Sequence, residues 1–155
     1  MAEEIYVPMN GSTYIGASSQ YNIVAISQLS ACAPLILVNR DNRTCFAFHI
    51  GPPSEDALRE ARLRLNLFIS ESATGACFDM LLFPFSKMRP DRKKVVRKLE
   101  KQIKYSRHAV RMHFLWRQQK QQKPWSVKVD LRTSNVSIQE SIFTETFTDY
   151  LSLSA

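Results

Sequence analysis

Cys32 and His49 are the two side chains whose types and spacing most readily combine into chemistry. A thiol beside an imidazole gives up its proton and becomes a nucleophile toward a carbonyl carbon. The stretch LSACAPLILVNRDNRTCFAFHI separates the two by seventeen positions. Its β-rich runs, Pro34 to Val38 and Thr44 to Ile50, flank the polar loop Asn39 to Arg43 and read as a hairpin. If Asn39 to Asn42 close a four-residue turn, Val38 faces Arg43, facing numbers total 81, and Cys32 stands opposite His49. Facing Cβ atoms lie about 4.5–5.5 Å apart, close enough for a thiol to meet an imidazole. Cys45 shares the face of His49, but four positions at about 3.3 Å each put it about 13 Å away. In this register Cys45 faces Ile36 and reads as packing, and Cys77, inside an apolar run, reads as core.

Ser30 and Ala31 leave the approach to the sulfur uncrowded. They also allow a tight turn in which the backbone N–H groups of Ala31 and Cys32 face an incoming oxygen, the donors that an acyl-transfer intermediate requires. The plain alternative stays open: an unpaired cysteine as a small buried hydrophobe, and a histidine satisfied within a core.

The elements that must hold these residues follow from periodicity and turn chemistry. Glu4 to Val7 and Tyr21 to Ile26 read as strands, with Asn10-Gly11 and Ala17-Ser18-Ser19 as turns. Ser54 is placed to cap a helix with Glu55 and Asp56 in its first turn and Leu58, Ala61 and Leu65 on one face. Ala76 to Phe83 reads as a buried strand ended by Pro84. A second helix begins near Asp91, with Val95, Val96, Leu99 and Ile103 as its stripe. His108 to Trp116 reads as a further strand, Trp125 to Arg132 and Val136 to Ile138 as a closing hairpin, and Glu140 to Ala155 as a tail or last element. These elements predict one α/β (α+β) layered domain over residues 1–155, with mainly antiparallel β-sheets covered by two helices.

Charge and composition narrow the function classes. The net charge of +7 is concentrated: Lys87 to Arg107 holds ten Lys or Arg against Asp91 and Glu100. The basic character thus belongs to residues 91–107 and reads as a solvated helix face or as a surface for an acidic protein or membrane. Nucleic acid is a weaker expectation, because this segment carries only Tyr105 for stacking and no reader motif. Three cysteines without a C-x-x-C spacing, and histidines away from them, predict free thiols and no metal site. No apolar run is long enough for a transmembrane segment, and the acidic start MAEEIYVPMN does not resemble a cleavable signal peptide. Asp79, alone in an apolar run, reads as a buried polar partner, with His49 one candidate, and His108 and His113 read as structural or surface residues.

Leu29-Ser30-Ala31-Cys32, followed by a strand, a turn, and Phe46-Ala47-Phe48-His49 on the returning strand, resembles the glutamine deamidases. These are the CheD-type bacterial chemoreceptor deamidases and, more distantly, the cytotoxic necrotising factor and lethal-factor deamidase toxins. The final Trp125 to Thr133 segment is similar to the R-V-x-F-x-x-x-T-G ending of the chemoreceptor enzymes. Two features depart from them. Ile26 stands where they place a threonine six residues before the nucleophile, and Ala76 to Leu81 replaces their glycine-rich stretch.

The resemblance implies a cofactor-free hydrolase in which Cys32 attacks a target-protein glutamine and His49 moves the proton. It fits a toxin or effector better than a chemotaxis enzyme, working in a cytoplasm or injected into a host cell. With Ile26 unable to orient an imidazole, Gln28 by strand parity, Ser27 through a bulge, or a backbone carbonyl remain candidates for that role. A transglutaminase or cysteine protease would use the same Cys-His pair, and a non-catalytic basic binding module is the alternative of a different class.

Overall fold

The hairpin of β4 (Ala33–Asn39) and β5 (Thr44–Ile50) lies at the centre of the molecule, and all fourteen of its residues are buried. A strand buried on both faces needs a layer on each side, and the rest of the chain supplies them. The computed structural model describes residues 3–29, 32–83, 88–114, 124–140 and 143–147. Around the hairpin, β2 (Ser12–Ile15), β6 (Cys77–Leu82) and β7 (Ala109–Phe114) complete a five-stranded sheet in the order β2-β5-β4-β6-β7. A second sheet runs β1-β3-β8-β9-β10, built from β1 (Glu4–Tyr6), β3 (Ile23–Leu29), β8 (Trp125–Asp130), β9 (Asn135–Glu140) and β10 (Phe143–Phe147). Both sheets are mixed: β1 with β3 and β6 with β7 are parallel, and the other pairings are antiparallel.

The two sheets pack face to face over one core, to which Val24, Ile26, Val127, Val129 and Ile138 contribute from one side and Ile36, Val38, Cys45, Ala47 and Leu81 from the other. A second core fills the space between the central sheet and the helices α1 (Glu55–Ser70) and α2 (Pro90–Tyr105). Leu35, Leu37, Phe46, Phe48 and Phe78 meet Ala61, Leu65, Phe68, Val96, Leu99 and Ile103 there. At roughly 1.5–3 kcal/mol for each large side chain fully buried, these two cores dominate the folding energy. The α+β class with two helices is therefore observed. The helices cover only the central sheet, and the other sheet leaves one face to water, as the alternating burial of β8 records.

Both helices start as their sequences dictate. Ser54 Oγ accepts the Ala57 N–H at 3.2 Å, with Glu55 and Asp56 in the first turn, favourable to the helix dipole. α2 has no side-chain cap and instead places Pro90 where a helix needs no N–H, with Asp91 next to it.

Candidate active site

The hairpin register differs from the expected one. Asn39 pairs with Thr44 and Ala33 with Ile50, so facing numbers total 83 and the residue opposite His49 is Pro34, not Cys32. The turn explains the shift. Asn39 Oδ1 accepts the Asp41 N–H at 3.2 Å, and Asn42 Oδ1 accepts the Thr44 N–H at 3.2 Å and its hydroxyl at 2.6 Å. Arg43 takes a left-handed φ of 56°. The four loop residues are therefore Arg40 to Arg43, one position later than Asn39 to Asn42.

Moving every pair by two positions preserves the faces, because strand side chains alternate with period two. Cys32 still packs against the inter-sheet core, the core toward which Cys45 and Ala47 on the His49 face of β5 also point. Cys32 and His49 thus keep a common side but sit diagonally, a relationship that separates residues by about 7–8 Å where facing ones are about 5 Å apart. No thiol-imidazole hydrogen bond is formed, since His49 Nε2 has no partner among the described residues. Cys45 faces Val38 and not Ile36, and is fully buried, which pushes its thiol pKa far up. Cys77 is half-buried at the start of β6 and not core; burial first, then the nearby Asp79 charge, raise its pKa.

His49 is held on three sides by the segment Val7 to Gly11. Its N–H donates to Gly11 O at 3.0 Å, its carbonyl accepts the Asn10 N–H at 2.8 Å, and Nδ1 lies 3.2 Å from Val7 O. A carbonyl only accepts, so Nδ1 carries the proton and Nε2 presents a lone pair. The residue is 1% exposed. Burial lowers its pKa below the ordinary value, with the Val7 bond partly opposing, so the imidazole is neutral near pH 7. A buried acceptor without a partner costs about 1–3 kcal/mol. The inner face of Gly51 lets the strap lie this close: a Cβ there would meet Met9 Cγ at 2.8 Å.

The two side chains expected to orient His49 do not reach it. β3 carries a bulge in which Ser27 and Gln28 fall between the pairs Ile26–Val127 and Leu29–Trp125. Gln28 adopts φ 57°, and the inserted residue hands the inward position to Leu29, which breaks the simple parity. Ser27 hydrogen-bonds the Tyr6 hydroxyl at 3.1 Å, and Gln28 is exposed. The backbone carbonyl alternative is the arrangement observed, supplied by Val7. Of the two expected oxyanion donors, Ala31 lies outside the described residues with Ser30, whereas Cys32 is placed immediately before β4.

Asp79 is not a partner of His49. It is fully buried at the other end of the inter-sheet face, with Arg40 Nε at 2.7 Å, Arg111 Nε at 3.2 Å and His113 Nε2 at 2.9 Å. His113 is consequently a core residue, whereas His108 stacks on Phe78 with ring centroids 4.5 Å apart. The segment Val7 to Gly11 escaped the sequence reading as a holder of His49, because its three contacts run through the backbone. Among the described residues no His, Cys, Asp or Glu cluster is arranged to hold a metal ion. No helix among them is long and apolar enough to cross a membrane. No family model matches the chain, and no curated protein matches it significantly.

Proposed function

We propose that this chain is a protein-glutamine deamidase that works through Cys32 and His49. The observation that carries the reading is the Nε2 of His49, which has no partner among the described residues: a neutral, buried imidazole held by Val7 O, on the strand face that shares the inter-sheet core with Cys32. A core histidine kept for packing alone normally satisfies both nitrogens. A general base needs one nitrogen held and the other open.

In the proposed reaction Nε2 takes the Cys32 thiol proton, and the thiolate adds to the glutamine side-chain carbonyl carbon. The oxyanion is held by backbone N–H groups near Cys32. His49 then returns the proton to nitrogen, the C–N bond breaks, and ammonia leaves a thioester. Water, deprotonated by His49, adds to that thioester and releases glutamate and the thiol. The target gains one negative charge. An amine acceptor at the last step would make the same site a transglutaminase, and a backbone amide at the first step a cysteine protease. The activity suits a bacterial toxin or effector that acts on a host protein, and the cationic face of α2 suits an acidic protein target.

Incubation of the protein with cell lysate, followed by mass spectrometry, tests the reading. Site-specific gains of about one dalton at glutamine should appear with wild type and vanish with both Cys32→Ser and His49→Ala. Equal conversion by wild type and variants would end the proposal.

A further inference from the structure

Three cations beside the junction of the two helices have no carboxylate partner among the described residues: Arg62 on α1, and Lys98 and Lys101 on α2. Elsewhere on the same helices Arg59 pairs with Asp56, Arg64 with Glu60 and Arg92 with Asp91. The unpaired charges line one open groove, together with Ile69, Gln102 and Tyr105. Gln102 bridges its walls by donating to Arg62 O at 3.0 Å and to Asn66 Oδ1, and its own Oε1 is buried without a donor. Tyr105 stands 85% exposed at one end. Lys98 also borders an adjoining hollow that includes Lys94, so the positive line continues along α2.

We infer that this groove is the docking site for an acidic, extended segment of a partner protein. The proposal deepens the deamidase reading, on which it rests only in calling that partner the substrate. Lys94, Lys98 and Lys101 are separated by four and three residues, so successive ammonium groups rise by about 6 and 4.5 Å along the helix. Alternate residues of an extended peptide repeat at about 6.6 Å, close to that spacing. The exposed Tyr105 ring with the half-buried Ile69 offers an apolar contact. A nucleic-acid strand fits less well. Glu55 and Asp91 line the Lys94 end, so the positive line covers only about 10 Å, and Tyr105 is the single aromatic along the groove.

The test is fluorescence anisotropy with a labelled peptide of alternating Glu and Ser at low ionic strength, compared with single-stranded oligothymidylate of equal charge. We expect the Lys98→Gln/Lys101→Gln double variant to bind the peptide about tenfold more weakly, as loss of two exposed charge pairs predicts. Lys128→Gln, on the other sheet, should change affinity less than about twofold. Binding by Cys32→Ser should equal wild type, so a protein that docks the peptide yet never converts glutamine would fail as a deamidase while the groove stood. Equal peptide affinity in wild type and the double variant, or tighter binding of oligothymidylate that weakens with the same substitutions, would overturn the groove proposal.

Discussion

Val7 O and His49 Nδ1 lie 3.2 Å apart and join residues 42 positions distant in sequence. This one contact determines which nitrogen of His49 is protonated and which is left open. It also makes a backbone atom, invisible to any side-chain motif, the orienting group.

Stability should fall below neutral pH because of this ring. His49 has a folded pKa depressed below its unfolded value of about 6.5. As pH drops through 6.5, the unfolded chain gains a proton that the folded chain resists, so stability present above that pH is lost until the folded pKa is reached. Thermal melts between pH 8 and pH 5 should record that loss, and His49→Leu should flatten it. An equally steep profile in His49→Leu would assign the effect elsewhere.

Thiol reactivity should separate the three cysteines. Cys32 is part-exposed on the His49 side, whereas Cys45 is sealed and Cys77 has a raised pKa. Iodoacetamide at neutral pH should label Cys32 first, Cys77 more slowly and Cys45 only on unfolding. His49→Leu should slow Cys32 labelling about tenfold or more and leave Cys77 unchanged, as read by peptide mass spectrometry. A Cys32 rate indifferent to His49 would break the proposed pair.

The sequence carried the element list well where periodicity was strong. β5 coincides with the expected Thr44 to Ile50, and α1 and α2 begin where Ser54 and Pro90-Asp91 imply. β2 was missed because four residues beside a glycine turn give too short an alternation. The site was half legible. The faces of Cys32 and His49 survive the register error, since a two-position slip conserves parity. The facing partner did not survive, because it depends on which asparagine closes the turn, and Asn39 and Asn42 both do so. The bulge at Gln28 had no sequence mark, since its left-handed backbone falls on a residue without a turn preference.

Asp79 should be a major stability determinant independent of the candidate site. Its buried carboxylate meets Arg40, Arg111 and His113, so removing it takes a charged or hydrogen-bonding partner from each of the three. Breaking a buried pair costs about 3–5 kcal/mol; Arg40 and Arg111 are partly solvated, which sets Asp79→Ala near the lower end, about 3 kcal/mol. Urea unfolding measures this directly. A loss below about 1 kcal/mol would mean the cluster contributes little.

Asn10 should hold the strap that positions His49. Its Oδ1 accepts the Gly51 N–H at 3.0 Å and its Nδ2 donates to Pro52 O at 3.1 Å, tying the strap to the two residues that follow β5. Asn10 also adopts φ 61°, a conformation that asparagine tolerates and alanine resists by about 1–2 kcal/mol. With two hydrogen bonds worth about 0.5–1.5 kcal/mol each, Asn10→Ala should lose about 2–5 kcal/mol. Asn10→Gly relieves the backbone cost while still removing both bonds, so it should lose about 1–2 kcal/mol less than alanine. If the strap positions the base, both variants should speed hydrogen exchange at the His49 backbone N–H, which donates to Gly11 O. They should also lower kcat for glutamine conversion more than they raise KM, because the substrate-contacting groups remain. Destabilisation with unchanged exchange at His49 would make Asn10 a fold residue only.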